Sequence, residues 1–177
     1  MFLNYKLDEN DFLLFTLYDF KKENLLKKAI IRDRLVWSRI MLVFSAVIYF
    51  DHGLKPALFI LVFSAIGISF RPLKLKNSYF NRFRKQAEFC RSMFGDCELI
   101  LNDDYIEVKY EDADIKRRLT VIRSITETRQ HFFIFFSVGS IIIPKLNLNN
   151  LELVKSKLVF LAEYLKLEYI SDLNWSW

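Results

Sequence analysis

Two long apolar runs lie in the first half of the chain, at residues 35–50 (LVWSRIMLVFSAVIYF) and 54–70 (LKPALFILVFSAIGISF). Their charged residues, Arg39 and Lys55, lie near the ends of the runs, where a long side chain can carry its charge to the headgroup region. Each run has 16 or 17 residues. This is slightly fewer than the roughly 20 residues that span a bilayer, but helices usually extend beyond the apolar stretch.

Neither run has a polar face, which distinguishes them from the amphipathic helices of a soluble domain. Residues 40–50 and 57–70 are apolar all round except for Ser45, Ser64 and Ser69. Two buried helices of a soluble domain are the alternative, but a chain of 177 residues offers little other material to enclose them. We therefore predict a transmembrane helical hairpin at 35–70, with its tip at DHGLKP (51–56).

Basic residues flank both runs on the sides away from the tip. Those nearest the predicted spans are Arg32, Arg34, Arg71, Lys74 and Lys76. By the positive-inside rule, both termini are predicted to be cytoplasmic and the tip extracytoplasmic. The flanking clusters also account for most of the net charge of +5. The charge therefore indicates contact with the lipid bilayer, and no nucleic-acid partner is expected.

The segments on either side of the hairpin have helical patterns. Residues 2–7 (FLNYKL) alternate as in a short strand, and residues 8–35 follow a helical period, with Asp8 or Asn10 as candidate cap. Residues 71–94 predict an amphipathic linker helix near the membrane. The predicted division is 1–34 (N-terminal strand and helix), 35–70 (hairpin), 71–94 (linker helix) and 95–177 (cytoplasmic domain).

After Cys97 the period changes to that of strands. ELIL, YIEVKY, RRLTVIRSITETR, HFFIFFSV and SIIIPKL predict antiparallel strands that follow one another, with turns at 102–104, 111–114, near Gln130 and at Gly139. Residues 149–169 return to a helical period, capped by Asn149 or Asn150. The predicted fold is a membrane α-helical hairpin plus a small α+β domain, in which a curved antiparallel sheet is closed by a C-terminal helix.

Composition narrows the chemistry that the chain could perform. Eighteen Phe against four Gly and three Pro favour long regular elements over loops. Cys90 and Cys97 have six residues between them without metal-ligand spacing, and His52 and His131 are isolated, so neither a metal nor a cofactor is expected. Reduced thiols are favoured over a disulfide. Because known phosphate-binding and hydrolase motifs do not occur, we expect no enzyme activity and no small-molecule substrate.

One local feature could bind an anionic group: Lys116, Arg117 and Arg118, at the start of a predicted strand. Contact with a lipid headgroup or with a partner is one interpretation. The other is a solvated strand end, because adjacent residues of a strand cannot share one face and EDAD (111–114) offers neutralising carboxylates.

The order of these parts, and the stretch LTVIRSITETRQHFFIFFSVGSIIIPKLNL (119–148), resemble the YcxB-like family of bacterial membrane proteins. The resemblance covers nearly the whole chain and is carried by Ile122, Ile125, Glu127, Thr128, Ile143, Pro144 and Lys145. It implies a pleckstrin-homology-like C-terminal domain behind a transmembrane hairpin. It implies architecture and location, and no particular activity.

The functional hypothesis is a multi-pass protein of the bacterial cytoplasmic (inner) membrane. Its small domain would act as an interaction module that binds a protein partner or self-associates. The alternative is a bacterial immunity protein that protects the inner membrane against a toxin. A transporter or channel is disfavoured, since two spans without an intramembrane carboxylate provide little of a pathway.

Overall fold

The computed structural model describes residues 1–90, 94–110, 114–146 and 148–177. The predicted turn at 111–114 and the predicted end of the linker helix therefore lie largely outside the described residues. In chain order the elements are β1 (Phe2–Leu7), α1 (Glu9–Lys22), α2 (Leu25–His52), α3 (Leu54–Phe89), β2 (Gly95–Leu101), β3 (Tyr105–Lys109), β4 (Asp114–Arg118), a 3₁₀ helix (Leu119–Val121), β5 (Ile122–Thr128), β6 (His131–Phe136), β7 (Ser140–Pro144), α4 (Leu151–Tyr164) and β8 (Glu168–Asp172).

The described chain divides into two compact units. One unit combines Met1–Thr16 with Lys85–Trp177, and the other is Leu17–Arg84. The first sixteen residues belong with the C-terminal strands because β1 pairs antiparallel with β2 along its whole length, with Leu7 opposite Gly95. We call these the two-sheet unit and the helical unit.

In the helical unit, α2 and α3 are long and apolar enough to cross a membrane. They have 28 and 36 residues, and their most apolar windows have mean hydropathies of 1.3 and 1.7. Only 6% of the residues in each window are buried within the chain, so these are not core helices of this protein. Large apolar side chains such as Val43, Phe50 and Phe59 are exposed. This much of the predicted hairpin is confirmed.

Small residues bring α2 and α3 into contact near the tip. Ser45 and Ala57 are buried, and the Ser45 hydroxyl donates to the Ala57 carbonyl at 3.1 Å. On α3, Ser64 and Ser69 donate within their own helix, to the Leu61 and Ala65 carbonyls. These bonds satisfy the serine hydroxyls within the helical unit.

Two helix boundaries differ from the prediction. The single helix expected at 8–35 is interrupted at Asn24, whose φ of 55° is left-handed, and α2 begins at Leu25. The expected change of helix near residue 70 is absent from the described structure, because α3 continues through Pro72 to Phe89. Proline removes one N–H donor there, and the good helix formers Leu73, Lys74 and Leu75 on its C-terminal side favour continuation.

The first described sheet has the strand order β1-β2-β3-β4 and is antiparallel throughout. The alternation predicted in YIEVKY is confirmed, since Ile106 and Val108 are fully buried and Glu107 and Lys109 are not. The predicted turn at 102–104 joins β2 to β3, with the Asn102 N–H donating to the Tyr105 carbonyl.

The second described sheet has the order β7-β6-β5-β8. Strands β5, β6 and β7 are antiparallel neighbours, but β8 pairs parallel with β5, contrary to the all-antiparallel prediction. The single strand expected at RRLTVIRSITETR is divided by the 3₁₀ helix into β4 and β5, which belong to different sheets.

Helix α4 is shorter than predicted, because Lys166 adopts a left-handed φ of 54° and the chain then forms β8. Asn150 caps it, as one of the two predicted caps, by accepting from the Leu153 N–H at 3.2 Å. Val154, Leu158 and Leu161 are buried, and α4 packs against β5 and β8. The two-sheet unit is therefore a small α+β domain, and the predicted class of this part of the chain is confirmed.

The contribution of β1 to the two-sheet unit can be tested by substitution. Leu7 is 6% exposed, so Leu7→Ala should lower the free energy of unfolding by about 2 to 5 kcal/mol through the cavity it leaves. Lys6→Ala, on the exposed side of the same strand, should change it by less than about 0.5 kcal/mol. Urea unfolding of the full chain in micelles, followed by circular dichroism, measures both. Equal effects would contradict this packing.

Candidate functional site

Strand β4 carries the predicted basic cluster at an edge of the first sheet. It pairs with β3, and none of the described strands pairs with its other side. Lys116 and Arg118 are exposed, whereas Arg117, on the opposite face, is half-buried. The basic side chains therefore lie on both faces of this edge strand.

Each basic residue has different surroundings. The Lys116 ammonium lies 3.8 Å from the centre of the Tyr105 ring and 3.7 Å from a Glu107 carboxylate oxygen. The Arg117 guanidinium lies 5.7 Å from the centre of the Phe136 ring on the inner side. Arg118, opposite Tyr105 on β3, has no ion pair among the described residues.

These side chains line a groove of about 680 Å³ together with Asp104, Tyr105 and Thr120. The three basic residues alternate between faces, as predicted for adjacent positions of a strand, yet all three line this groove, together with Tyr105 at the start of β3. Most of EDAD (111–114), whose carboxylates are predicted to neutralise the basic cluster, lies outside the described residues. Among the described residues, the Glu107 carboxylate lies near the Lys116 ammonium.

The basic residues predicted to flank the membrane lie on the two long helices: Arg32 and Arg34 on α2, and Arg71, Lys74 and Lys76 on α3. Arg71 joins the helices, because its Nε and Nη2 donate to the two Asp33 carboxylate oxygens at 2.6 and 3.0 Å. Its guanidinium also lies 4.2 Å from the centre of the Trp37 ring.

The motif residues Ile143, Pro144 and Lys145 have structural surroundings. Ile143 is fully buried, and Pro144 ends β7 opposite His131. The Lys145 ammonium donates to a Glu127 carboxylate oxygen at 2.7 Å, while the other oxygen accepts from the Tyr169 hydroxyl at 2.8 Å and lies 3.3 Å from the Lys155 ammonium. We call these four polar residues the Glu127 cluster.

Electrostatics within the Glu127 cluster favour the charged carboxylate. Burial would raise the pKa of Glu127, but hydrogen bonds from Lys145 and Tyr169, together with the Lys145 charge, outweigh it and hold the pKa below its usual value. Burial, and then the hydrogen bond to Glu127, raise the pKa of Tyr169. The cluster therefore holds a fixed negative charge in the interior, paired by donors from three elements.

A second buried pair fixes the start of α1. His131 Nε2 lies 2.7 Å from Asp11 Oδ1, and both side chains are largely buried. Asp11 Oδ2 accepts from the Asp8 N–H, while Asp8 accepts from the Asp11 N–H, so Asp8 is the cap of α1, as one of the two predicted. His131, isolated in the sequence, is therefore paired in the fold with a carboxylate of α1.

Comparison with protein-family models, with curated proteins and with solved structures found no match in any of the three. The resemblance to the YcxB-like family therefore stays a prediction.

Two partners of the predicted basic residues were missed from the sequence. Asp33 lies twenty residues before Gly53, and Arg71 lies eighteen after it. Similar distances from the tip could have indicated their pairing across the hairpin. Tyr105 shares a face with Glu107 by strand alternation, but the register that brings it beside Lys116 and Arg118 is a property of the folded sheet.

The Glu127 cluster gives a pH-dependent prediction. At neutral pH, Glu127→Gln should lower the free energy of unfolding by about 3 to 5 kcal/mol, because it leaves Lys145 buried without its counter-charge. The pKa of Glu127 is lower in the folded protein than the value of about 4.3 in the unfolded chain. The stabilisation is therefore fully present above that value and is lost as the pH falls through the folded-state pKa.

Denaturant unfolding between pH 3 and 7 measures this effect. In Glu127→Gln, the free energy of unfolding should no longer show the part of its decrease at acid pH that Glu127 causes. Glu163→Gln, at an exposed position of α4, is the matched control and should stay within about 0.5 kcal/mol of the original protein. A similar pH profile for Glu127→Gln and the original chain would show that another carboxylate causes the decrease.

Proposed function

We propose that the chain is a non-enzymatic protein of the bacterial cytoplasmic membrane whose two-sheet unit binds an acidic, extended segment of a partner protein along β4. The observation that carries this proposal is the basic edge strand, with cationic side chains on both of its faces. The hairpin of α2 and α3 would hold this unit at the membrane surface.

Membrane insertion is supported by the exposed apolar surface of α2 and α3. Burying such surface is favourable by about 25 cal/mol for each Å², and within the helical unit it has little cover. Tyr49 and Trp37 lie towards the two ends of the apolar part of α2, as expected for aromatic residues at membrane interfaces. The basic residues flanking the helices favour the cytoplasmic side for both termini.

The pairing of β1 with β2 supports placing both termini on one side. Leu7 lies opposite Gly95, so the chain must return to the same sheet after residues 8–94. Strands cannot pair across a bilayer, and an even number of crossings is therefore required between these residues. Two spans meet this requirement, whereas one would separate β1 from its partner.

A pleckstrin-homology-like arrangement of the two-sheet unit is part of the proposal. Seven strands precede α4 in the described chain and are divided between two sheets, and the apolar face of α4 packs against the second sheet. Strand β8, which follows α4, is an addition to that pattern.

A peptide fits β4 better than a phosphorylated headgroup does. An added strand would pair with the backbone on the unpaired side of β4 and point its side chains alternately to both faces. Lys116 and Arg118 lie on one face and Arg117 on the other, so acidic residues of an added strand would meet cations on both. A single phosphate could be held by the basic side chains of the groove but would leave the unpaired backbone groups of β4 unused.

Self-association through β4 is less favourable than binding of an acidic partner. Strand β4 contains three basic residues and one acidic residue, so pairing two copies would bring like charges together. The immunity-protein alternative stays a prediction, since none of the described features bears on a toxin.

Cysteine labelling tests the membrane arrangement. Cys97 is buried, and burial raises its pKa to about 11, so it should not react in the folded protein and can be retained. With Cys90 replaced by alanine, single cysteines are introduced at exposed Asp51 or exposed Asp114. A membrane-impermeant maleimide applied to intact bacteria should label Asp51→Cys and leave Asp114→Cys unlabelled until the cells are lysed.

Labelling of Asp114→Cys in intact cells would reverse the proposed orientation. Failure of both positions to react before lysis, with reaction of both afterwards, would mean that the hairpin does not cross the membrane.

Peptide binding tests the β4 edge. The full chain in zwitterionic nanodiscs should bind a blocked peptide of alternating Glu and Val, and should slow amide hydrogen exchange within residues 114–118. Arg118→Glu should weaken binding by about ten-fold, equivalent to about 1.4 kcal/mol, through like-charge repulsion. Arg123→Glu makes the same charge reversal at an exposed residue of β5 outside the groove and should leave binding unchanged.

Binding of a Lys/Val peptide with equal strength would contradict charge complementarity. Slower exchange in β4 only when the nanodiscs contain anionic lipid would contradict the peptide proposal and favour headgroup binding.

A further inference from the structure

A groove lies between α2 and α3, beside the Arg71–Asp33 pair described above. It has a volume of about 1020 Å³ and is lined mainly by apolar side chains, among them Trp37 and Phe44 from α2 and Phe63 from α3. Gly67 also lines it, and a Cβ atom at Gly67 would meet no atom within 4 Å. The groove is therefore open at the middle of α3.

The apolar part of the groove matches one leaflet of a bilayer in length. Along α3 it extends from Phe59 to Phe70. At 1.5 Å per residue these positions are about 16 Å apart, and half of a hydrocarbon core is about 15 Å. An acyl chain could lie along the groove over its full leaflet depth.

One end of the groove is cationic. Arg71 and Lys74 follow the apolar part directly. Asp33 accepts from two N–H groups of Arg71, which leaves other guanidinium donors available. Lys74 has no ion pair among the described residues, so this end has a positive charge beyond the Arg71–Asp33 pair.

We propose that this groove is a binding site for one anionic phospholipid, with an acyl chain along the apolar walls and the phosphate at Lys74 and Arg71. The inference rests on the membrane insertion proposed above. A second copy of the hairpin is a poorer occupant, because both copies would bring the cations Arg71 and Lys74 to the same end of the contact, where like charges repel.

Fluorescence quenching by brominated lipids tests the site in the full chain. The protein is reconstituted in phosphatidylcholine vesicles that contain a minor fraction of acyl-brominated phosphatidylglycerol or of acyl-brominated phosphatidylcholine. The difference between the original chain and Trp37→Phe isolates the signal of Trp37, which lines the groove. Trp37 should be quenched preferentially by the anionic lipid, with a selectivity of about five-fold for one extra cation.

Two pairs of variants separate the groove from general surface attraction. Lys74→Gln should abolish the preference, whereas Lys76→Gln removes the same charge from a residue outside the groove lining and should keep it. Gly67→Leu should reduce quenching by the anionic lipid by filling the groove. Ala65→Leu, at an exposed position outside the lining, should not. Native mass spectrometry of the same variants, released from mixed-lipid nanodiscs, gives a second count of bound phosphatidylglycerol.

The outcomes distinguish this site from membrane insertion itself. Equal quenching by the two brominated lipids would overturn the anionic site and leave insertion supported. Preference that survives both Lys74→Gln and Gly67→Leu would also overturn it, since surface potential would then be sufficient. Absence of Trp37 quenching by either lipid would contradict membrane insertion, and with it both proposals.

Discussion

The pairing of β1 with β2 constrains every other part of the molecule. It joins residues 2–7 to residues 95–100 and makes the intervening chain an insertion into one sheet. The inserted chain must leave the sheet and return to it, which explains why two long antiparallel helices are better suited than one. The Asp8–Asp11 cap and the Asp11–His131 pair fix the direction of the chain as it leaves β1. The topology of the hairpin therefore depends on a contact in the two-sheet unit.

In the second sheet, the Glu127 cluster holds elements from distant parts of the chain together. A buried carboxylate costs several kcal/mol unless charged and polar partners surround it. Here the donors come from the end of β7, from α4 and from β8, and each of these elements must be in position for Glu127 to be satisfied. This explains why β8 pairs with β5 after α4. Lys145, directly after Pro144, pairs with the buried Glu127. Pro144 and Lys145 are therefore poor candidates for a binding surface.

Features set by local pattern could be predicted from the sequence, and features set by distant contacts could not. The apolar runs, the alternation at Ile106 and Val108 and a helix cap at Asn149 or Asn150 follow from composition and period alone. The partner of β1, the parallel pairing of β8 and the Asp33–Arg71 pair depend on register between segments far apart in the chain. The basic cluster could be identified from the sequence, but the position of Tyr105 beside it could not. The left-handed residues Asn24 and Lys166, neither of them glycine, ended helices that periodicity alone would have extended.

Charge on an edge strand has two consequences, and both follow from the same residues. Exposed edges invite pairing with other chains, and lysine or arginine on an edge discourages it. Lys116, Arg117 and Arg118 therefore protect β4 against copies of itself and against neutral or basic strands. Under the proposed function, the same charges would leave acidic strands as favourable partners, so protection and selectivity would be one property of this edge. Anchoring by the hairpin would strengthen the selectivity, because a weak edge contact gains from the high effective concentration of a partner held at the same membrane.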